Sequence, residues 1–245
     1  MLADTIALVT GANKGLGLAT ARQLAERGLT VLLGSRDADR GAQAAATLAT
    51  DGIKVRPVRI DVTDDASVRQ AAELIEREHG RLDVLVNNAG VLRRKAPTEV
   101  TADDLRPEFE TNVFGVVRVV HAMLPLLRRS KAARIVNVSS DSAVFAKATE
   151  DGSMFARSHD SFAYSATKAA VNMLTVKYAN AFADDPELAH IKVNAVTPGY
   201  VATDLNGFKG ARSTDEGARA AVYWATVGDD GGTGGFYDES GRMPW

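Results

Sequence analysis

The chain has 245 residues, a mass of 26.0 kDa and a formal net charge of −2, from 31 acidic and 29 basic residues. This length allows one large core, and the nearly balanced charge provides no field suited to nucleic acid or an anionic membrane surface. The chain contains no cysteine, which excludes disulfides, thiolate nucleophiles and sulfur-ligated metals.

Short runs rich in Val, Ile and Leu alternate with longer Ala-rich amphipathic stretches, a pattern typical of strands joined by crossover helices. Strands are predicted near 5–10, 30–34, 53–60, 83–87, 133–139, 190–196 and 233–237. Helices are predicted near 15–28, 39–50, 64–79, 102–130 (with a break around Pro107), 161–183 and 214–226. The alternation predicts an α/β fold in which one domain, residues 1–245, forms a doubly wound, mostly parallel sheet of about seven strands with helices on both faces. In such sheets ligands bind beyond the carboxyl ends of the strands.

A glycine-rich turn follows the first predicted strand and precedes the first helix. It contains Gly11, Asn13, Lys14, Gly15, Leu16 and Gly17. Glycines let the backbone approach a pyrophosphate closely, and the free N–H groups of a helix N-terminus attract its charge. The strand–turn–helix context favours a dinucleotide site over a plain loop.

The second predicted strand ends at Ser35 and Arg36, where an NAD-specific site usually has an acidic residue that accepts from the ribose 2′-hydroxyl. Arg36 and Lys14 could instead bind a 2′-phosphate by charge-assisted hydrogen bonds. NADP(H) is therefore the expected cofactor. The alternative is that Arg36 pairs with Asp37 or Asp39 and that Lys14 is merely solvated.

Asp61 and Val62 follow the third strand, where the Asp61 carboxylate could accept from an adenine amino group or cap a helix that starts near Thr63. The fourth strand ends in a turn of Asn88, Ala89 and Gly90. Such a turn suits close approach to a cofactor, although by itself it is an ordinary turn.

Tyr164 and Lys168 are four residues apart in a predicted helix, so their side chains should share one face. A phenol is a poor acid at neutral pH, and an ammonium one turn away is expected to lower its pKa. The pair is a candidate proton donor, although the same spacing also occurs on ordinary solvated helix faces.

The ordered combination of these motifs resembles the short-chain dehydrogenase/reductase family over almost the whole chain, and within it the NADPH-dependent carbonyl reductase branch. The resemblance implies a Rossmann-type fold. It also implies four catalytic residues at matching positions: Asn112, Ser140, Tyr164 and Lys168. Ser139 competes with Ser140 because the two are adjacent, and the family pattern selects the second.

The resemblance also implies the role of each position. Ser140 would hold the substrate carbonyl oxygen, Lys168 would bond the nicotinamide ribose, and Asn112 would bind a water that joins Lys168 to solvent. The segment after the sixth strand would hold the nicotinamide carboxamide. It includes Pro198, Gly199, Val201 and Thr203. A tight Pro-Gly turn without such a role is the alternative for this segment.

Ser140 and Tyr164 are 24 residues apart, about a dozen more than in many family members, and the surplus lies at 141–161. Carbonyl reductases have an insertion here that covers a helix face used elsewhere for tetramers, so the resemblance implies a monomer. The segment is either a partly apolar lid or a surface loop. The residues expected to line a substrate pocket are Leu92, Arg93, Phe145, Met154, Phe155 and Tyr200.

The resemblance implies an NADPH-dependent reductase of an aldehyde, ketone or quinone. The alternatives are a secondary-alcohol dehydrogenase that works in the opposite direction and a non-catalytic nucleotide-sensing protein. A small-molecule carbonyl substrate is expected, and neither a nucleic-acid nor a membrane partner.

Residues 1–10 lack a basic segment ahead of an apolar one, and no apolar run approaches the roughly 20 residues of a membrane span. A cytoplasmic location is therefore expected. The four histidines are scattered without metal-ligand spacing, so no metal site is expected.

Overall fold

The structure is a computed structural model that describes residues 4–245. Its strands are β1 (Ile6–Val9), β2 (Thr30–Ser35), β3 (Arg56–Arg59), β4 (Val84–Asn87), β5 (Arg134–Val138), β6 (Lys192–Val196) and β7 (Phe236–Tyr237). They form one sheet in the order β3-β2-β1-β4-β5-β6-β7, and every neighbouring pair is parallel. The strand order reverses direction between β1 and β4, which opens a crevice at the carboxyl end of the sheet.

The helices of the described chain are α1 (Gly15–Glu26), α2 (Ala38–Thr50), α3 (Asp65–His79), α4 (Ala102–Phe109), α5 (Gly115–Leu127), α6 (Phe145–Thr149), α7 (Met154–Arg157), α8 (Phe162–Asp184) and α9 (Thr214–Ala225). Helix starts coincide with capping residues: Asp37 caps α2, Thr101 caps α4 and Ser213 caps α9. Each cap satisfies a main-chain N–H that has no partner inside the helix.

The two faces of the sheet carry two apolar cores. Leu8, on one face of β1, packs in a core with α3, α5 and α8. Its neighbour Val9, on the opposite face, packs in a core with α1, α2 and α9. Both residues are fully buried. This explains why the strands are continuous apolar runs rather than alternating ones: a parallel sheet covered on both sides exposes neither face.

All seven predicted strands are present, and the largest differences lie at the sheet edges. Strand β3 begins at Arg56 rather than 53, and β7 begins at Phe236 rather than 233. Each of these strands pairs on one side only. Fewer hydrogen bonds to the sheet hold the ends of these two strands. Pro57 is tolerated in β3 because β3 is an edge strand.

The predicted break around Pro107 is wrong in position. Pro107 lies inside α4, and the irregularity is a π-helical turn over Glu110–Phe114, between α4 and α5. The proline lies in the second helical turn, where its missing N–H removes one bond. The π-helical turn instead coincides with Asn112, whose side chain binds Val91 outside the helix.

Helices α6 and α7 were not predicted; they lie within the insertion at 141–161. From residue 4 onward, no helix is both long and apolar enough to cross a membrane.

Candidate active site

A cavity of about 870 Å³ lies at the carboxyl end of the sheet. It is lined by every residue predicted to bind cofactor and by three of the four predicted catalytic residues, namely Ser140, Tyr164 and Lys168. The fourth, Asn112, is buried beside the cavity and does not line it. The crossover topology thus brings together groups that are far apart in sequence.

The glycine loop is held by Asn88, whose Nδ2 donates to the main-chain oxygens of Thr10 (2.9 Å) and Gly11 (3.2 Å). Gly17 is required there because a β-carbon at that position would lie 2.4 Å from Asn88 Nδ2. Asn88, predicted as a cofactor contact, therefore shapes the loop, and its side-chain donors face the protein. It still lines the cavity.

One end of the cavity is lined by Arg36. Arg36 is exposed and forms no salt bridge within residues 4–245, so the alternative of a pair with Asp37 or Asp39 is not seen. Ser35 is buried, and its hydroxyl donates to the Asp37 carbonyl at 2.7 Å. It therefore adds no negative charge where an acidic residue would oppose a phosphate.

Lys14 has a competing partner that the sequence did not indicate. Its ammonium pairs with Asp204, which joins the glycine loop to the segment after β6. A phosphate would have to exchange with this carboxylate. Arg40, also missed, lines the same region and pairs with Asp37 at 3.5 Å.

Asp61 lines the cavity, but its Oδ1 accepts from the Thr63 main-chain N–H (3.0 Å) and hydroxyl (2.7 Å). The cap of α3 is Asp64, not Asp61. The alternative of an Asp61 helix cap is therefore wrong, because the helix starts two residues later than Thr63.

The two adjacent serines face different surroundings. Ser139 is buried, and its hydroxyl donates to the Lys168 carbonyl at 3.3 Å. Ser140 is half-buried, and its oxygen accepts from the main-chain N–H (3.2 Å) and the hydroxyl (3.0 Å) of Ser142. The Ser140 hydroxyl also interacts with the Tyr164 phenol. This geometry favours Ser140 over Ser139 as the group that meets a ligand.

Lys168 is buried, and its ammonium donates to the Val138 carbonyl at 2.7 Å. The nitrogen lies 5.5 Å from the centre of the Tyr164 ring. Burial lowers the pKa of Lys168 to about 8, since an ammonium loses hydration in the interior.

The expectation of an acidified phenol is not met in the structure. Burial raises the pKa of Tyr164 to about 12; the Ser140 hydroxyl lowers it and the charge of Glu108 raises it further. Desolvation of the phenolate thus outweighs the stabilising hydrogen bond from Ser140. The phenol remains protonated at neutral pH, which is the form a proton donor needs.

Asn112 is almost fully satisfied by its neighbours. Its Oδ1 accepts from Val91 N (2.8 Å), and its Nδ2 donates to Val91 O (2.9 Å) and Thr167 Oγ1 (3.0 Å). One lone pair of Oδ1 remains for a second donor. The predicted water contact stays a prediction.

The turn after β6 is tight. Gly199 has a φ of +72°, and a β-carbon there would lie 3.1 Å from the Arg212 side chain. The Val201 carbonyl accepts from Asn206 Nδ2 at 2.8 Å. Pro198, Gly199, Val201 and Thr203 all line the cavity, and their contact with a nicotinamide stays a prediction.

The substrate-side predictions hold in part. Leu92, Met154, Phe155 and Tyr200 line the cavity. Phe145 does not line it and is 73% exposed, because α6 turns that side chain to solvent. Arg93 lines a separate, smaller cavity. Arg94 lines both cavities, and it forms a 2.8 Å ion pair with Asp160, which lines the large one.

Substitution of Lys168 tests its burial. A lysine with a pKa of 10.5 when unfolded and about 8 when folded binds its proton more tightly in the unfolded chain. This opposes folding fully below pH 8, is relieved as pH rises from 8 to 10.5, and is absent above pH 10.5. At pH 7 we expect K168M to have a free energy of unfolding about 2 kcal/mol higher than the parent, after allowance for the lost bond to Val138. Urea unfolding measures it.

The difference in the free energy of unfolding between K168M and the parent should nearly vanish at pH 10, because Lys168 is already neutral in the folded protein at that pH. K177M, at an exposed position of the same helix, should leave stability unchanged at both pH values. A parent protein more stable than K168M at pH 7 would contradict this account of the site.

Comparison with known proteins agrees with this geometry. Residues 5–213 match the model of the short chain dehydrogenase family. The chain is 37% identical to the short-chain dehydrogenase anuI of Penicillium roqueforti, over 91% of this chain and 89% of that protein. It is 32% identical to carbonyl reductase (NADPH) 1 of Homo sapiens, over 98% of each chain.

Two solved structures have the same fold. Salutaridine reductase from Papaver somniferum has a TM-score of 0.80 at 28% identity, over 95% of this chain and 99% of that one. A gluconate 5-dehydrogenase from Burkholderia cenocepacia, in complex with NADP and tartrate, has a TM-score of 0.79 at 28% identity, over 96% and 92%. The chain belongs to the short-chain dehydrogenase/reductase family.

Proposed function

We propose that the protein is an NADPH-dependent reductase of a small aldehyde, ketone or quinone. The observation that carries the proposal is the joint placement of Ser140, Tyr164 and Lys168 in one cavity that Arg36 also lines. Carbonyl reductase (NADPH) 1 relatives and a neighbour in complex with NADP support the choice of cofactor. The residues present fit that cofactor, because Gly17 permits close approach and, within residues 4–245, Arg36 forms no salt bridge.

A bound NADPH would supply the hydride. Tyr164 gives its phenolic proton to the oxygen of the carbonyl compound as that oxygen gains negative charge. An alkoxide is a far stronger base than a phenolate, so the transfer is favourable even with a phenol pKa of about 12. The Ser140 hydroxyl donates a hydrogen bond to the same oxygen.

Lys168 stabilises the phenolate left behind, and its ammonium has donors free for a cofactor ribose beyond the bond to Val138. Asn112 bonds to Val91 and so positions the part of the cavity wall that Val91 forms. Oxidation of a secondary alcohol would use the same groups in reverse, so steady-state assays in both directions decide between reductase and dehydrogenase. A nucleotide-sensing protein would bind NADPH but show no turnover in either assay direction.

The substrate class is tested by a screen of carbonyl compounds that follows NADPH oxidation. The substrate end is lined by Leu92, Met154, Phe155 and Tyr200, and its Arg94 is neutralised by Asp160. Uncharged apolar carbonyl compounds are therefore expected to be the best substrates. A cytoplasmic location stays a prediction.

Loss of the phenol should abolish turnover. In Y164F, kcat is expected to fall by about 10²- to 10⁴-fold, because the proton donor is removed, while the Kd for NADPH stays nearly unchanged. Stopped-flow fluorescence and steady-state kinetics measure both. Y178F, on the same helix and outside the cavity, is the matched control. Retained turnover in Y164F would exclude the phenol as the acid.

Removal of Arg36 should relax cofactor choice. In R36M, the KM for NADPH is expected to rise about tenfold or more, since a charge-assisted bond to phosphate is lost, with the KM for NADH unchanged. R69M replaces an exposed arginine outside the cavity and should change neither. If the parent enzyme prefers NADH, or uses the two equally, the assignment of NADPH is overturned.

The proposed oligomeric state is a monomer, as the family resemblance implies. The insertion does not bury Met173 of α8, and Phe114 and Val117 near the start of α5 are also exposed. Light scattering is expected to give a mass near 26.0 kDa. A mass of two or four chains would refute the monomer and point to this apolar surface as the contact.

A further inference from the structure

Residues 91–95, which we call the strap, lead from the end of β4 towards α4 without joining the sheet. Lys95 forms an isolated parallel bridge with Ser161. The N–H groups of Val91, Arg93 and Lys95 are all taken. They donate to Asn112 Oδ1 (2.8 Å), Glu108 Oε1 (2.9 Å) and the Asp160 carbonyl (2.9 Å), respectively.

The strap separates two cavities. Val91 and Leu92 line the large cavity that contains Ser140 and Tyr164. Arg93 and Lys95 line a second cavity of about 200 Å³ together with Glu108, and Arg94 borders both cavities. The contacts that hold the strap on the side away from the large cavity therefore determine which of its side chains face a substrate.

Glu108 is an unusual residue for that position. It is fully buried, and within residues 4–245 its Oε2 has no hydrogen-bond partner. A buried carboxyl without full pairing costs free energy, so an apolar residue of similar size would be less costly at this position if packing were the only requirement. The one hydrogen bond of its side chain is to the strap, and it lies four residues before Asn112, which binds the strap too.

We propose that Glu108 is a positioning residue for the substrate: by holding the Arg93 N–H it fixes Leu92 and Arg94 in the wall of the active site. This inference rests on the proposed function, because that wall is taken as the carbonyl site. Glu108 touches no reacting atom in this assignment, and its effect on substrate position passes through the strap. Its charge acts separately on the pKa of Tyr164, and both E108Q and E108M remove that charge, so the comparison of the two variants isolates the hydrogen bond.

The E108Q variant separates the role of Glu108 as hydrogen-bond acceptor for the Arg93 N–H from the effects of its charge and its packing. E108Q keeps Oε1 as the acceptor for Arg93, and its amide nitrogen replaces the oxygen that has no partner. E108M keeps similar length but has no acceptor. E110M is the matched control, since Glu110 lies two residues away and pairs with Arg118 at 2.8 Å.

In E108M, the KM for the carbonyl substrate is expected to rise about tenfold, with kcat changed less than about twofold and the Kd for NADPH unchanged. E108Q and E110M should keep the parental KM. Amide hydrogen exchange of a peptide that spans 91–95 should show one additional rapidly exchanging amide in E108M, and none in E108Q or E110M.

A KM in E108Q as high as in E108M would overturn the proposal, because the acceptor would then be irrelevant. An equal loss of kcat, substrate affinity and NADPH affinity in E108M would overturn it too, since it would indicate general unfolding. If E108M does not fold, E108D takes its place: its carboxyl is one methylene shorter, and a parental KM and parental exchange in E108D would contradict the assignment. A parent enzyme without reductase activity would refute the proposed function, while the exchange result would still decide whether Glu108 anchors the strap.

Discussion

The bond from the Lys168 ammonium to the Val138 carbonyl joins helix α8 to the carboxyl end of β5, and the active-site cavity is built around this bond. It places a charged group in the interior, next to a phenol on the same helix and a serine at the strand end. Burial opposes that charge, as the lowered pKa of Lys168 shows. The fold tolerates this cost at the point where a reaction would need a cation, and apolar cores on both faces of the sheet supply the stability.

The two ends of the cavity have different electrostatic characters. At the nucleotide end, Arg36 and Arg40 lie beside a buried Ser35, and the competing carboxylate of Asp204 holds Lys14. At the substrate end, the Arg94 charge is neutralised by Asp160 and the walls are mainly apolar. A ligand with one polyanionic end and one uncharged end fits both, which is why a phosphorylated dinucleotide and an apolar carbonyl compound form a consistent pair.

Much of the fold followed from sequence because the signals were local. Continuous apolar runs such as Ala7–Val9 indicated strands covered on both faces, and the Ala-rich amphipathic stretches between them indicated crossover helices. The break between α4 and α5 did not follow, since Pro107 is a local signal whereas the π-helical turn accompanies the contact of Asn112 with Val91, 21 residues away in sequence. The roles of Asn88 and Asp61 were likewise decided by contacts with Thr10, Gly11 and Thr63. The pKa of Tyr164 could not be predicted from sequence, because it depends on the balance between desolvation and a neighbouring charge.

The central claim is that the Tyr164 phenol protonates the oxygen of a bound carbonyl compound that Ser140 also holds. The most direct measurement is a crystal structure with NADP and a carbonyl compound or its alcohol product. The account predicts that the Tyr164 and Ser140 hydroxyl oxygens both lie about 3 Å from the ligand oxygen. A ligand oxygen bound away from both hydroxyls, with an intact cofactor in the cavity, would contradict it.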